Sequence, residues 1–324
     1  MITKKVGNWF KTSPSRNAIV AFLGVVIVNS ILQKNFFAPE ILLSNLSMFL
    51  PMILLTIGQA VVLISGEIDL SVGSGAALVN VVVTTILRDN PDAIFSAVLA
   101  AICVGLLIGG VNSFVVAITR LPAIVATFAT AAIFYGTALK VLPTPTSIDQ
   151  KLSTYYSSGL VFGFIPLPIA ILVGVLFIWW FLGRFRFRRY IYAVGGNEAS
   201  ASANAINTVL TKSIAFIICG ILVAFAGFVI TMQYASGDAN NGKIFALSSI
   251  AAAVIGGVSL QGGKGAIGGA VLGSIILSLI ANIIFYARLA SLYQELIKGI
   301  IVITAIGLSI YTNYRNERKS LIIN

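Results

Sequence analysis

Gly66-Glu67-Ile68-Asp69-Leu70-Ser71-Val72-Gly73-Ser74-Gly75 interrupts an apolar stretch that otherwise runs from about residue 46 to residue 87. Residues 46–65 are long enough to cross the hydrocarbon core of a bilayer, which takes about twenty apolar residues. The segment after the break starts a second run of similar character. Glycines and two carboxylates between two such runs make an irregular backbone at membrane depth. Such backbone is tolerated only where protein or a water-filled cavity satisfies its polar groups. An ionisable residue placed there points to function. Asp69 has a second reading, as a cap of the helix that begins near Leu70, accepting from the amides of Ser71 and Val72.

The rest of the chain agrees with this reading. Of 324 residues, 58% are hydrophobic and 10% charged, against roughly 25% charged in a soluble domain, and mean hydropathy is +1.00. Apolar runs recur at about residues 18–32, 46–65, 70–87, 94–119, 122–139, 166–182, 213–232, 245–256, 266–286 and 292–311. The expectation is an all-α, polytopic membrane protein of about ten membrane-embedded helices, short and broken ones included. It is one domain, residues 1–324, with a polar connection at 184–212. The basic N-terminal flank, with Lys4, Lys5, Lys11 and Arg16, reads as cytoplasmic, and the first apolar run as a retained helix. Trp179-Trp180 followed by Arg184, Arg186, Arg188 and Arg189 marks a cytoplasmic exit, and Arg315, Arg318 and Lys319 put the C-terminus on the same side. With both termini inside, the cytoplasmic segments carry roughly twice the Lys and Arg of the external ones. Residues 140–159 and 236–243 then fall outside. The run 245–256 is too short to span alone, so it enters from outside, stops near the midplane or inner half, and turns at its glycines.

That turn, Gly256-Gly257-Val258-Ser259-Leu260-Gln261-Gly262-Gly263-Lys264-Gly265, echoes the first break: apolar run, glycine-rich polar interruption, apolar run. Paired breaks at corresponding places point to a transport site. Asp69, Ser71, Gly73 and Asn112, with Gly256, Gly257, Ser259, Gly262 and Gly263, are the candidate pathway and helix-break residues. Asn80, Thr127, Thr130 and Asn282 either line a polar path or bridge helices. Glu295 and Lys298 are spaced to pair on one face of the last run. Gly105 with Gly109, and Gly269 with Gly273, have the spacing of close helix contacts. Gly262-Gly263-Lys264 does not complete a phosphate loop, since position 258 is Val and position 265 is Gly. The absence of His removes the usual triads and zinc sites. Cys103 and Cys219 read as small core residues. The net charge of +11 sits at the flanks of apolar runs, so it speaks for membrane topology and against nucleic-acid binding.

Three stretches carry a family resemblance. They are Gly66-Glu67-Ile68-Asp69-Leu70-Ser71-Val72-Gly73-Ser74; Arg186-Phe187 with Tyr192-Ala193-Val194-Gly195-Gly196-Asn197-Glu198-Ala199-Ser200; and Ile250-Ala251-Ala252-Ala253-Val254-Ile255-Gly256-Gly257-Val258-Ser259-Leu260 with Gly262-Gly263-Lys264-Gly265. A weaker fourth is Arg120-Leu121-Pro122-Ala123-Ile124-Val125-Ala126-Thr127. In these the chain resembles the permease subunit of bacterial monosaccharide ABC importers of the ribose, xylose and galactose type. The resemblance implies a multi-pass protein of the bacterial cytoplasmic (inner) membrane that does no covalent chemistry and binds no cofactor. It would work with a second permease subunit, identical or not, an extracytoplasmic sugar-binding protein, and a cytoplasmic ABC ATPase that holds ATP and Mg. Tyr192, Gly195, Gly196, Asn197, Glu198, Ala199 and Ser200 would then lie in the coupling helix that docks on the ATPase. The chain departs from the family's usual residues at Glu67, Arg188 and Ala205, each commonly Gly. At Ala246-Leu247-Ser248-Ser249 an acidic Glu-Leu-Asp is typical.

Two other readings remain open on the residues alone. A proton- or sodium-coupled carrier would rest on Asp69 as its coupling carboxylate. A nucleoside or signalling-sugar permease would share every motif above.

Overall fold

A computed structural model describes residues 16–288 and scattered helical positions between 293 and 307. The basic flank before Arg16, the Glu295–Lys298 pair and the basic tail lie outside the described residues.

Helix α1 (Arg16–Leu32) leads through a turn at Asn35 to α2 (Pro39–Ile64). Proline at the first helical position and Glu40 in the first turn suit a helix start. At 26 residues α2 is about 39 Å long, and from Phe49 to Ile64 every side chain is buried, so it is the central post of the bundle. Next come α3 (Val72–Asp89), α4 (Ile94–Asn112, extended by a π-helical turn, Ser113–Ile118) and α5 (Ala123–Val141). Beyond α5 lie the short strand β1 (Thr146–Ser147), helix α6 (Lys151–Ser158) and a hairpin, β2 (Leu160–Val161) with β3 (Ile165–Pro166). Helix α7 (Leu167–Leu182) then bends by 82° into α8 (Arg186–Gly196). The connection ends in α9 (Glu198–Ala203), and α10 (Thr208–Tyr234) returns through the bundle. Strand β4 (Ser236–Gly237) pairs antiparallel with β1, and α11 (Phe245–Ile255) and α12 (Ile267–Tyr286) follow.

Six of these helices are long and apolar enough to cross a membrane, seven if the bent pair α7–α8 is one span, and α1 and α11 are shorter apolar helices. The chain is a polytopic, mainly helical membrane protein. The expected span at 292–311 falls largely outside the described residues. Helices α2, α3, α4 and α10 pack as the core; α12 seats α1 and α11 against α2. The spacing of Gly105 and Gly109 is used at the crossing of α4 with α10, where the backbones of Gly105 and Gly220 touch. Gly269 and Gly273 likewise receive the backbone of α11. Cys219 is buried, whereas Cys103 faces outward from α4 and is not a core residue.

The segment after β4 packs along α3. Gly237 lies against Thr84, the amide of Asp238 donates to Oδ1 of Asn80 at 3.0 Å, and Gly242 packs on Gly73 and Ala77. Residues 237–242 therefore follow α3 over about three turns, with Gly237, Ala239 and Gly242 buried and Asn240 exposed. A series of turns, with Asn241 N on Asp238 O and Lys243 N on Asn240 O, leads from it into the 11-residue α11. Helix α11 ends in a turn at Gly256 and Gly257, as expected. The glycines of the loop that follows it, Gly262 and Gly263, meet the end of α2 and the 184–212 connection.

Candidate coupling site

Helices α2 and α11 end in the same way. After α2, the amide of Gly66 donates to Leu63 O and that of Glu67 to Val62 O; after α11, Gly257 donates to Val254 O and Val258 to Ala253 O. Both are Schellman motifs with a left-handed glycine, Gly66 at φ +91° and Gly257 at φ +89°. The echo in the sequence is thus a repeated helix stop.

The end of α2 and the glycine loop after α11 converge on Gly195, near the end of α8. The amide of Gly263 donates to Ile64 O at 3.0 Å, which satisfies a carbonyl left open by the end of α2. Gly195 lies between these two strands of backbone, and a β-carbon there would collide with Ile64 O and come within 2.7 Å of Gly263 N. A β-carbon on Gly262 would sit 2.7 Å from the Cα of Gly66. The hydroxyl of Tyr192 donates to Gly265 O at 2.8 Å, so α8 also holds the far side of the second break. Within that break Ser259 closes the loop: its amide donates to Lys264 O, and its carbonyl accepts from Gly262. Gly256 abuts the carbonyl of Gly269 on α12.

From this junction α9 projects. Asn197 caps it, its Oδ1 accepting from Ser200 N at 2.8 Å, and Ala199 and Ser200 are exposed. Glu198 binds Lys212 Nζ at 2.6 Å, and the same ammonium binds Glu67 at 2.7 Å. The hydrogen bond from Lys212 holds the Glu198 carboxyl below the usual carboxylate range, although its partial burial opposes this. The helix stops at a third Schellman motif, with Ile206 N on Ala201 O and Ala205 N on Ser202 O. Here the left-handed position, φ +59°, is filled by Ala205.

The remaining candidates form a second, buried cluster around Asp69, which is 2% exposed. Its Oδ1 accepts from the amide and hydroxyl of Ser71 at 2.8 and 2.7 Å, and its Oδ2 from Asn112 at 3.1 Å. Asn112 also donates to the Ser71 hydroxyl at 2.7 Å and accepts from Thr130 at 2.7 Å. Thr127 accepts the amide of Leu70 at 3.0 Å, and the Gln59 amide pairs with the backbone N–H and C=O of Asp69. This clasp ties the irregular segment 67–71 to α2, α4 and α5. Asp69 pairs with no Lys or Arg among the described residues. Val72 N is not its donor, contrary to the expected cap. Gly73 is separate again, packed against Gly242 in the segment after β4. Asn80 and Asn282 bridge helices, to Thr231 and Asn45 respectively. Sequence reasoning missed Gln59 and Lys212. Gln59 is a polar residue in the middle of a long apolar run, a signal present in the sequence; Lys212 carried none.

The chain is 32% identical to the ribose import permease protein RbsC of Escherichia coli (strain K12) over 298 residues, 90% of this chain and 92% of that one. It is 32% identical to RbsC of Bacillus subtilis (strain 168), covering 88% and 90%. It is 31% identical to the autoinducer 2 import system permease protein LsrC of Yersinia pestis (strain Pestoides F), covering 88% and 82%. No solved structure gives a significant match. A family model described as branched-chain amino acid transport system / permease component matches residues 41–306, a span that takes in every residue of both clusters, and the chain belongs to that family of permease components.

Proposed function

We propose that this chain is the transmembrane subunit of an ATP-driven importer and forms the pathway for a monosaccharide or a related small polar solute. It is a transport subunit, not an enzyme. ATP and Mg belong to a separate cytoplasmic ATPase, and an extracytoplasmic binding protein delivers the solute. A second permease subunit completes the pathway. The membrane is the bacterial cytoplasmic membrane, with the 184–212 connection and both termini on the ATPase side.

One observation carries this reading. The end of α2 and the glycine loop after α11 close on Gly195, beside an exposed, capped helix. A push on α9 would therefore reach two membrane-inserted segments at once through backbone contacts that have no side chains to absorb it. That is what a coupling helix requires. The similarity to ribose import permeases supports ribose as the first solute to try. The similarity to LsrC supports a signalling sugar as the second.

The test is purification in mild detergent from a host expressing the neighbouring transport genes, followed by reconstitution. A co-purifying ATPase and ATP-dependent uptake of labelled ribose or autoinducer 2 are expected. An intact, monodisperse permease with no ATPase bound would overturn the proposal.

A further inference from the structure

We propose that Lys212 is a positioning residue for energy coupling: its ammonium clamps α9 to the break after α2 by pairing simultaneously with Glu198 and Glu67. The inference rests on the coupling reading of α9 and adds to it the route by which motion would enter the membrane domain.

The geometry is specific. Lys212 stands one turn into α10, its side chain 13% exposed, with Glu67 Oε1 at 2.7 Å and Glu198 Oε2 at 2.6 Å. Glu67 is 17% exposed, so this half of the clamp is shielded from solvent and from salt. Glu198 is 52% exposed and occupies the first position of α9. Thr208 and Arg120 also face Glu198, so the second carboxylate is not left to one cation. Two residues beyond Glu67 is Asp69, locked by Ser71 and Asn112 into the α4–α5 side of the bundle. A contiguous polar chain therefore runs from the exposed helix to the buried clasp: Glu198, Lys212, Glu67, the backbone 67–69, Asp69, Asn112, Thr130. The glycine junction links α8 to the break after α2 by contact, and by hydrogen bonds only through the second glycine loop. The ion pairs resist separation, so with them α9 can pull the break as well as push it.

A chain of contacts becomes coupling only when both ends respond to one event. The experiment therefore follows deuterium uptake in segments 67–71 and 198–203 of the assembled permease–ATPase complex, with and without a non-hydrolysable ATP analogue. In the parent complex both segments are expected to change on nucleotide binding. In Glu67→Gln the change at 198–203 persists and that at 67–71 is lost. Glu198→Gln, which alters a half-exposed group and leaves the core untouched, gives the same loss. Lys212→Arg, which keeps the charge and both partners, retains the response. A response at 67–71 that survives Glu67→Gln and Glu198→Gln overturns the proposal, as does a parent complex in which only 198–203 responds. Failure of the parent to bind an ATPase would instead overturn the functional reading beneath it.

Discussion

Gly195 and Ile64 meet where no side chain fits: a β-carbon on Gly195 would overlap the carbonyl oxygen that closes α2. Its neighbour Gly196 is different, because the nearest atom to a β-carbon there is the Cα of Gly263 at 4.0 Å. Sequence reading treats the two glycines alike, and the structure separates them. Gly195→Ala should force the junction apart at a cost of about 1–3 kcal/mol, the usual range for overpacking. It should lower ATPase co-purification and uptake per folded molecule. Gly196→Ala should leave both within error. Equal effects of the two substitutions would contradict the packing described.

Ala205 occupies a left-handed position that closes the Schellman motif after α9. A β-carbon in that conformation costs roughly 1 kcal/mol that glycine does not incur. Ala205→Gly should therefore stabilise the connection, offset in part by the greater freedom of glycine in the unfolded chain. The expected outcome is a higher midpoint of thermal unfolding in detergent with uptake retained. A lower midpoint would mean that Ala205 is held by contacts that outweigh its strain.

Asp69 discriminates between the importer and a carrier. All of its carboxylate's partners are donors: the Ser71 amide, the Ser71 hydroxyl, the Asn112 amide and, at 4.0 Å, the Cys219 thiol. Asn in its place would turn an NH2 group toward donors and leave buried groups unpaired, at about 1–3 kcal/mol. Asp69→Asn should reduce the yield of folded protein, and transport should fall only in proportion to that yield. A variant that folds fully but loses proton- or sodium-driven uptake would restore the carrier reading.

The Glu198–Lys212 pair also sets an acid limit. The Glu198 carboxyl titrates below its ordinary range because Lys212 stabilises its charged form. For a depressed carboxylate the stabilisation is complete above the unfolded-state value and disappears as pH falls through the folded one. Deuterium uptake in 198–203, corrected for intrinsic rates, should therefore stay flat from neutral pH down to the usual carboxylate range. It should rise only beneath that range. A rise beginning near neutrality would show that the ion pair does not hold the helix.

What could be read from the sequence follows a physical division. The spans were legible because bilayer thickness fixes their length, and the stops at Gly66 and Gly257 because a left-handed helix end selects glycine. The packing of residues 237–242 along α3 was not. Asp238, Asn240 and Asn241 give that segment a polar composition, and composition alone reads as an outside loop. Part of its backbone is satisfied locally, in turns on Asp238 and Asn240, and it is tied to the bundle by Asn80 and by pairing of β4 with β1, partners distant in sequence. Lys212 was illegible for the same reason. A basic residue at the start of a span is what topology alone requires, and only the folded chain brings Glu67 to it.

The crossing of α4 with α10 gives a last test, independent of function. Gly105 and Gly220 bring two backbones into contact, and a β-carbon on Gly220 would overlap Gly105 O and lie 2.7 Å from Gly109 N. Gly110 is on the same helix as Gly105, one residue past the contact face, with nothing near a β-carbon. Gly220→Val should separate two core helices, whose close approach is the source of their packing energy in a medium with no hydrophobic drive between helices. Loss of monodisperse protein is expected. Gly110→Ala replaces a helical glycine where there is room, and should be neutral or stabilising by about 0.5–1 kcal/mol. The pair isolates the crossing from glycine's general helix penalty, because that penalty predicts stabilisation at both positions. Only the backbone contact predicts opposite signs.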